Sequence, residues 1–311
     1  MNPQIRVKLW KTHTVLGVNM QKELFAPDST ARTTAEKARR QSHSRIVKTK
    51  GGQTVELIAI LPTPLTQAAM CAAFPTDRGG AALLDATRLC AETVLHAEER
   101  LYTLYRRTAD AAQGRHLILR APVPDSRFGI RTLLERPAFF TAHLSAALRA
   151  SPHGRITLLL PFVSTSDEIA AARQLTERAM QHLSERGQPF DELVELGIEL
   201  ATPAAALLSR TLASETDQLF LDLDRTAALA LSAPTDSPLF TDLPHGSERA
   251  ILCLAEVAVG NAHLAGRRIT LYGKLWEHPK LLPHLVAMGT DALAVPVARL
   301  RDARDRIRAL P

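Results

Sequence analysis

The sequence has few aromatic residues, few cysteines and no long apolar run. Aromatic residues make up 5% of its 311 residues, so a core must come mainly from Ala, Leu, Val and Ile. The three cysteines are odd in number and lack C-x-x-C spacing, which argues against disulfides and favours a reducing compartment. No apolar run approaches the roughly 18–20 residues that cross a bilayer, and no signal peptide is evident. We therefore predict a cytoplasmic protein without a membrane partner.

Positive charge is concentrated at the N-terminus. The formal net charge is +6, but residues 1–50 carry 11 Lys/Arg against 3 Asp/Glu, which leaves 27 against 29 for the rest. This distribution argues against a globally basic nucleic-acid binder, and the segment Arg32–Lys50 has no aromatic residue on which bases stack. We interpret residues 1–51 as a basic, poorly structured arm or linker, and a protein partner is one candidate for its contacts.

Short apolar runs alternate with Ala-rich amphipathic stretches from residue 52 onward. The runs are Val55–Leu61, Ala81–Leu84, His116–Arg120, Ile156–Pro161, Glu195–Leu200, Gln218–Leu223, Arg268–Gly273 and Ala292–Val297. Such alternation favours a parallel sheet covered by helices, and eight units in about 260 residues match a (β/α)8 TIM barrel. The alternative is an open doubly wound sheet, which usually has a Gly-rich turn after its first strand. Here Pro62-Thr63-Pro64 follows instead, so residues 52–311 are predicted to form an α/β TIM barrel.

Helices are predicted between these strands. Their ranges are Asp85–Thr108, Arg136–Ala150, Ser166–Arg186, Pro203–Ser214, Ser247–Ala265 and Val297–Leu310. Ser166 before two acidic residues predicts an N-cap, and Thr202-Pro203 predicts a helix start with proline in its first position.

The carboxyl ends of the strands carry polar residues, and in a TIM barrel the loops at that end build the active site. The residues there are Arg120, Ala201, Thr202, Asp222, Asp224, Arg225, Tyr272 and Lys274. The two-residue period of a strand predicts that Asp222 and Asp224 share one face, and that Glu199 and Ala201 share another.

Three segments resemble one known family in order and spacing. GIRTLLERPAFF at residues 129–140 resembles the motif R-x-I-R-x-x-L-x-R-P-x-x-F, and GIELATPAAA at 197–206 resembles G-x-M-x-E-x-P-A-A-A. TLYGKL at 270–275 resembles G-x-C-G-E-L. These motifs are similar to those of the phosphoenolpyruvate-binding barrel of phosphoenolpyruvate–protein phosphotransferase, enzyme I of the sugar phosphotransferase system. The resemblance extends from about Val55 to Leu310.

The resemblance implies a particular chemistry. In that family arginines hold the phosphate and carboxylate of the substrate, a Glu and an Asp bind Mg²⁺, a cysteine protonates the enolate, and a separate domain carries a phosphohistidine. It also implies a homodimer. Arg120 and Arg131 match two of the family's arginines.

Most of the other matching positions differ from the family. The phosphate-binding arginine of the second strand falls on Asp85, and the metal-binding Glu falls on Ala201. The metal-binding Asp falls on Arg225, the cysteine acid on Tyr272, and the next glutamate on Lys274. Two carboxylates that a Mg²⁺ site needs are thereby replaced, so we predict neither a metal site nor another cofactor.

Two interpretations of the remaining cations stay open. In the first, four cations bind a small anionic, phosphoenolpyruvate-like ligand; they are Arg120, Arg131, Arg225 and Lys274. In the second, the arginines form structural ion pairs with nearby carboxylates, for which the candidates are Asp85, Asp224 and Glu199.

The leading functional hypothesis is a barrel that has lost phosphotransfer and acts as a non-catalytic regulatory or binding protein. The alternative is an enzyme of altered chemistry, with Tyr272 as general acid and Asp224 or Glu199 as base. A third hypothesis is a protein–protein module whose contact is the basic arm.

Overall fold

The computed structural model describes residues 45–62, 65–74, 80–87, 97–123, 128–234, 243 and 246–311. Its strands are β1 (Ile46–Lys48), β2 (Thr54–Ile60), β3 (Ala81–Asp85), β4 (His116–Arg120), β5 (Ile156–Leu160), β6 (Glu195–Leu200), β7 (Gln218–Asp222), β8 (Arg268–Tyr272) and β9 (Ala292–Pro296). Its helices are α1 (Gln67–Ala73), α2 (Ala97–Ala112), α3 (Ile130–Leu134), α4 (Pro137–Ala150), α5 (Ser166–Glu185), α6 (Pro203–Leu207), α7 (Ser209–Ser214), α8 (Leu223–Ala230), α9 (Ser247–Leu264), α10 (Leu282–Ala287) and α11 (Leu300–Ala309). Short 3-10 turns are Ser151–His153, Leu275–Glu277 and Val297–Arg299.

Strands β2 to β9 form a closed parallel barrel. Each strand pairs with the next along the chain, and β9 returns to pair with β2 through Leu57 and Leu293. The helices that follow the strands surround this barrel. The predicted (β/α)8 barrel is confirmed, and each predicted strand overlaps an observed one with ends that differ by at most one residue.

A ninth strand precedes the barrel. Strand β1 runs antiparallel to β2, with Val47 opposite Val55. Arg45 is buried and donates to the carbonyl oxygens of Ala72 and Ala73. The prediction of a poorly structured arm up to residue 51 is therefore wrong for residues 45–50, because β2 offers an edge to which this short segment hydrogen-bonds. Residues 1–44 of the predicted arm lie outside the described residues.

Two apolar clusters form the core. The larger lies between the barrel and the helices and consists mainly of Ala, Leu, Val and Ile, as the low aromatic content predicts. The smaller lies inside the barrel and contains Ile58, Ala81, Leu83, Ile118, Leu159, Phe220, Ala292 and Ala294. Gly197 makes room for it, because a Cβ there would lie 3.3 Å from the Phe220 ring. No helix of the described part is long and apolar enough to cross a membrane.

Helix starts follow the sequence signals with small shifts. The N-cap of α5 is Thr165, not Ser166, and Thr165 and Glu168 form a capping box. The Thr202 hydroxyl accepts from the Ala205 N–H with Pro203 in the first helical position, as predicted. The predicted helix Pro203–Ser214 is divided into α6 and α7 at Leu208. Of the predicted helix Asp85–Thr108, residues 88–96 lie outside the described part.

Polar side chains line the barrel interior on both sides of the inner apolar cluster. The period of two along each strand continues the inward face toward the carboxyl ends, where the inward residues are Asp85, Arg120, Glu199, Asp222 and Tyr272. Toward the amino ends the same faces carry Glu56, His116, Thr157, Glu195, Gln218 and Arg268. The barrel thus has one polar layer at each end.

Candidate functional site

Arg120 is the centre of the polar layer at the carboxyl ends of the strands. Its Nη2 donates to Glu199 Oε2 at 2.9 Å, and its Nε lies 3.2 Å from both oxygens of Glu199. Its Nη1 donates to Asp85 Oδ2 at 3.2 Å. We call these three residues the Arg120 clamp. Of the two interpretations of Arg120, the structure shows the ion pair.

Glu199 organises the loop after β5 as well. Its side chain is fully buried, and its Oε2 also accepts from the Phe162 N–H at 3.1 Å. The Val163 N–H donates to the carbonyl oxygen of the same residue. Because Glu199 holds both an arginine and a backbone N–H, it is a structural anchor of this end of the barrel.

The clamp region contains more carboxylates than cations. Burial raises the pKa of Glu199, although Arg120 opposes the shift. Burial, together with the neighbouring Glu199, raises the pKa of Asp222 to about 7. Burial lowers the pKa of Arg120, but Glu199 and Asp85 outweigh this and raise it above its usual value. The single guanidinium of Arg120 therefore does not neutralise the carboxyl groups of Asp85, Glu199 and Asp222. Of these, Asp222 is the one that takes up a proton near neutral pH.

Asp224 does not share a strand face with Asp222, contrary to the prediction. Strand β7 ends at Asp222, whose side chain caps α8 by accepting from the Arg225 N–H at 2.9 Å. Asp224 lies in the first turn of α8. Its oxygens accept from the N–H groups of Lys274 (2.7 Å) and Leu275 (2.9 Å), and burial raises its pKa. Asp224 thus fixes the loop after β8, where Lys274 is exposed.

The remaining predicted cations do not converge on Arg120. Arg131 Nε lies 2.7 Å from Glu168 Oε1, and the Arg131 side chain is 54% exposed. Glu168 also belongs to the capping box of α5. The Arg225 guanidinium lies over the Phe162 ring at 4.7 Å from the centroid, and that of Arg120 lies 5.5 Å from the same centroid. Phe162, which was not predicted from the sequence, therefore contacts two of the four cations. Its one signal in the sequence is its position directly after the predicted strand that ends at Pro161.

Tyr272 faces the barrel interior. It packs against the inner apolar cluster and stands opposite Asp222 in the β7–β8 register. Its hydroxyl is buried and has no hydrogen-bond partner among the described residues. A buried phenol usually finds a partner, so this hydroxyl is a candidate ligand contact. The altered-enzyme hypothesis pairs Tyr272 with Asp224. The strand register instead places Tyr272 beside Asp222.

The backbone at Phe162 is strained. Phe162 has φ of 50°, and it lies against Gly129, which has φ of 58°. A Cβ at Gly129 would lie 2.2 Å from the Phe162 Cβ. Residues in such conformations persist only where the surroundings hold them, and they cluster at functional sites.

Gly129→Ala is therefore expected to lower the free energy of unfolding by about 2–3 kcal/mol, from strain and overpacking together. Urea denaturation would measure it. The matched control is Gly187→Ala, which has a similar φ of 64° but no atom within 4 Å of the added Cβ. We expect about 1 kcal/mol there. Equal losses in the two variants would contradict the close contact with Phe162.

Comparison with known proteins decides the family. A family model described as PEP-utilising enzyme, PEP-binding domain matches residues 126–311. The chain belongs to this family of phosphoenolpyruvate-utilising enzymes. The resemblance seen in the three sequence motifs is thereby confirmed.

Relatives of this barrel domain are larger proteins. Multiphosphoryl transfer protein 2 of Escherichia coli (strain K12) is 27% identical over an alignment of 231 residues. The alignment covers 68% of this chain and 28% of that protein. Phosphoenolpyruvate-protein phosphotransferase of Buchnera aphidicola subsp. Baizongia pistaciae (strain Bp) is 24% identical over 232 residues, 69% of this chain and 40% of that protein. The chain thus spans less than half the length of these relatives.

Solved structures share the barrel fold at low identity. A citrate lyase from Burkholderia xenovorans LB400 has a TM-score of 0.57 and 12% identity, covering 81% of this chain and 76% of that one. A HpcH/Hpal aldolase/citrate lyase family protein from Burkholderia cenocepacia J2315 has a TM-score of 0.54 and 13% identity, covering 88% and 97%. At such identities the likeness shows the fold alone.

Proposed function

We propose that this phosphoenolpyruvate-binding-type barrel is a non-catalytic regulatory or partner-binding protein. The Arg120 clamp carries the proposal. Arginine binds phosphate and carboxylate groups through the same planar fork of donors that Glu199 and Asp85 engage here. A substrate anion would have to displace a buried carboxylate that also holds the Phe162 N–H. In this proposal, internal carboxylates occupy the donors of Arg120 that the family resemblance assigns to the substrate.

The residues at the family's metal positions do not fit Mg²⁺. Ala201 is fully buried and offers no oxygen ligand from its side chain. Arg225 brings a positive charge to the second position, and both oxygens of the adjacent Asp224 accept from backbone N–H groups. Within the described ranges no three His, Cys, Asp or Glu side chains are grouped as a metal site. We therefore propose that the protein works without Mg²⁺ or another cofactor.

A small phosphoenolpyruvate-like anion is the ligand class that we propose for the barrel mouth. Besides Arg120, the cations that we assign to this ligand are Arg225 in the first turn of α8, Lys274 after β8, and Arg131 in α3. Arg131 is itself paired with Glu168, so binding is expected to be weak. We also propose a homodimer, which rests on the family resemblance, and a protein partner for the basic arm, which rests on the charge distribution. A cytoplasmic location is proposed from the cysteine pattern.

An enzyme of altered chemistry is the second candidate, and one observation favours it. The Tyr272 hydroxyl is buried and has no partner within the described part of the chain. Tyr272 stands opposite Asp222, whose pKa burial raises to about 7. A phenol and a carboxyl group with a pKa near neutrality are suited to proton transfer. In this candidate Asp222 replaces Asp224 and Glu199 as the base. Both oxygens of Asp224 accept from backbone N–H groups, and those of Glu199 accept from Arg120 and the Phe162 N–H.

Thermal-shift titrations with phosphoenolpyruvate, pyruvate and phosphate, each with and without Mg²⁺, test the proposal. We expect little stabilisation of the protein and none that depends on Mg²⁺. Asp85→Ala removes the clamp carboxylate that is 40% exposed, so metal-independent stabilisation by phosphoenolpyruvate is expected to appear in that variant. Mg²⁺-dependent stabilisation of the unmodified protein would contradict the proposal. Stabilisation by pyruvate that disappears in Tyr272→Phe would favour the second candidate.

A further inference from the structure

The amino end of the barrel holds a cleft of about 590 Å³. Its walls come from the β1–β2 hairpin, the residue before β5, the beginning of β8 and the turn between α10 and β9. The polar residues that line it include Gln53, Glu56, Arg155, Arg268, Thr290 and Asp291. None of the residues of the Arg120 clamp contributes, because the clamp lies at the opposite ends of the same strands.

Charges of both signs face this cleft. Arg268 Nη2 donates to Glu56 Oε2 at 2.7 Å. Arg155 Nη2 donates to Glu195 Oε1 at 2.9 Å, while the Arg155 Nε–H is buried without a partner among the described residues. Asp291 accepts from the Ile269 N–H (2.9 Å) and lies 3.1 Å from the ring nitrogen Nε2 of His263. The lining therefore contributes two guanidinium groups and two carboxylates, with donor capacity left on the arginines.

A buried hydrogen-bond network holds the floor of the cleft. Glu195 Oε2 accepts from Gln218 Nε2 at 2.7 Å and from the Thr157 hydroxyl at 3.0 Å. His116 Nε2 lies 2.7 Å from Thr157 Oγ1, and burial and then the Arg155 charge lower the pKa of His116 to about 3. Burial opposes ionisation of Glu195, but Arg155 outweighs it and keeps its pKa below the usual value. A neutral histidine and an ionised glutamate thus fix Arg155 in place before any ligand arrives.

We propose that this cleft binds a small zwitterion of the amino-acid class, with its carboxylate on Arg155 and Arg268 and its ammonium group on Glu56 and Asp291. The two carboxylates would repel a simple anion, and the two guanidinium groups would repel a metal cation. A zwitterion satisfies both signs at once. The volume lies within the range of small-molecule sites, and ligand groups that are fixed beforehand reduce the entropy lost on binding.

Thermal-shift measurements with the twenty free amino acids, followed by calorimetric titration of those that stabilise the protein, test this site. At least one free amino acid is expected to raise the Tm. Its N-acetyl derivative lacks the ammonium group and its amide lacks the carboxylate, so each is expected to bind at least about tenfold more weakly. If no amino acid stabilises the protein, or if inorganic phosphate does so equally well, the proposal is wrong.

Arg268→Gln is the matching variant, because the Arg268 side chain is 61% exposed and glutamine keeps an N–H donor for Glu56. We expect the Kd of the stabilising amino acid to rise by about tenfold or more. Arg301→Gln changes an exposed arginine on α11 outside the cleft and should leave the Kd unchanged. Asp85→Ala should also leave it unchanged, so this site and the proposed function fail independently. An unaltered Kd in Arg268→Gln would overturn the assignment.

Discussion

Arg120→Met is expected to lower the free energy of unfolding by about 3–5 kcal/mol at pH 8, the usual loss when one partner of a buried ion pair is removed. Glu199 has no exposed surface, so without Arg120 its charge would lie uncompensated beside Asp85 and Asp222. The loss should shrink as the pH falls toward 5, because a protonated Glu199 needs no cation. Urea denaturation followed by fluorescence of the buried Trp276 measures it.

Two further variants separate the clamp from an ordinary ion pair. Arg106→Met removes a pair with Asp110 in which both side chains are about half exposed, and it should cost no more than about 0.5 kcal/mol. Arg120→Met combined with Glu199→Gln removes the buried charge, keeps an oxygen for the Phe162 N–H, and should recover most of the loss. If Arg120→Met alone behaves like Arg106→Met, the guanidinium of Arg120 is not clamped and the non-catalytic proposal loses its basis.

The barrel could be predicted because its strands are buried on both sides. Each is a short apolar run in the sequence. The runs His116–Arg120 and Glu195–Leu200 are bounded by polar or turn residues, and both observed strands have the predicted ends. Strand β1 was not predictable, since only Ile46 and Val47 stand out from a basic segment. Its order comes from antiparallel pairing with β2, and a three-residue strand has too few apolar positions to reveal that pairing.

From the sequence, ion pairing of the arginines with Asp85, Asp224 or Glu199 is one of two open interpretations, and no local pattern decides between them. Strand alternation identifies Arg120 and Glu199 as inward-facing, yet they are 79 residues apart and belong to non-adjacent strands. Whether they meet depends on the curvature of the closed barrel, which no local pattern contains. The error at Asp224 has a different cause. Alternation applies only within a strand, and Asp222 ends β7 by capping the next helix.

Asp222→Asn is expected to stabilise the protein at pH 8 by up to about 4 kcal/mol, while it changes little near pH 4. Burial raises the pKa of Asp222 to about 7 in the folded protein from a usual value of 3.8. The folded state therefore holds a proton that the unfolded chain releases between these values, and the free energy of unfolding falls as the pH rises through this range. Asparagine resembles the protonated form and keeps the oxygen that accepts from the Arg225 N–H.

The pH dependence distinguishes this effect from a general gain in stability. Asp305→Asn, on the exposed face of α11, should shift the unfolding free energy equally at all pH values or not at all. Asp224→Asn should destabilise at every pH, because one amide oxygen cannot replace the two carboxylate oxygens that hold the loop after β8. If the Asp222→Asn variant keeps the same slope between pH 4 and 8 as the unmodified protein, the proton is not on Asp222. The proton would then be held by Glu199, the other buried carboxyl group beside Arg120 whose pKa is raised.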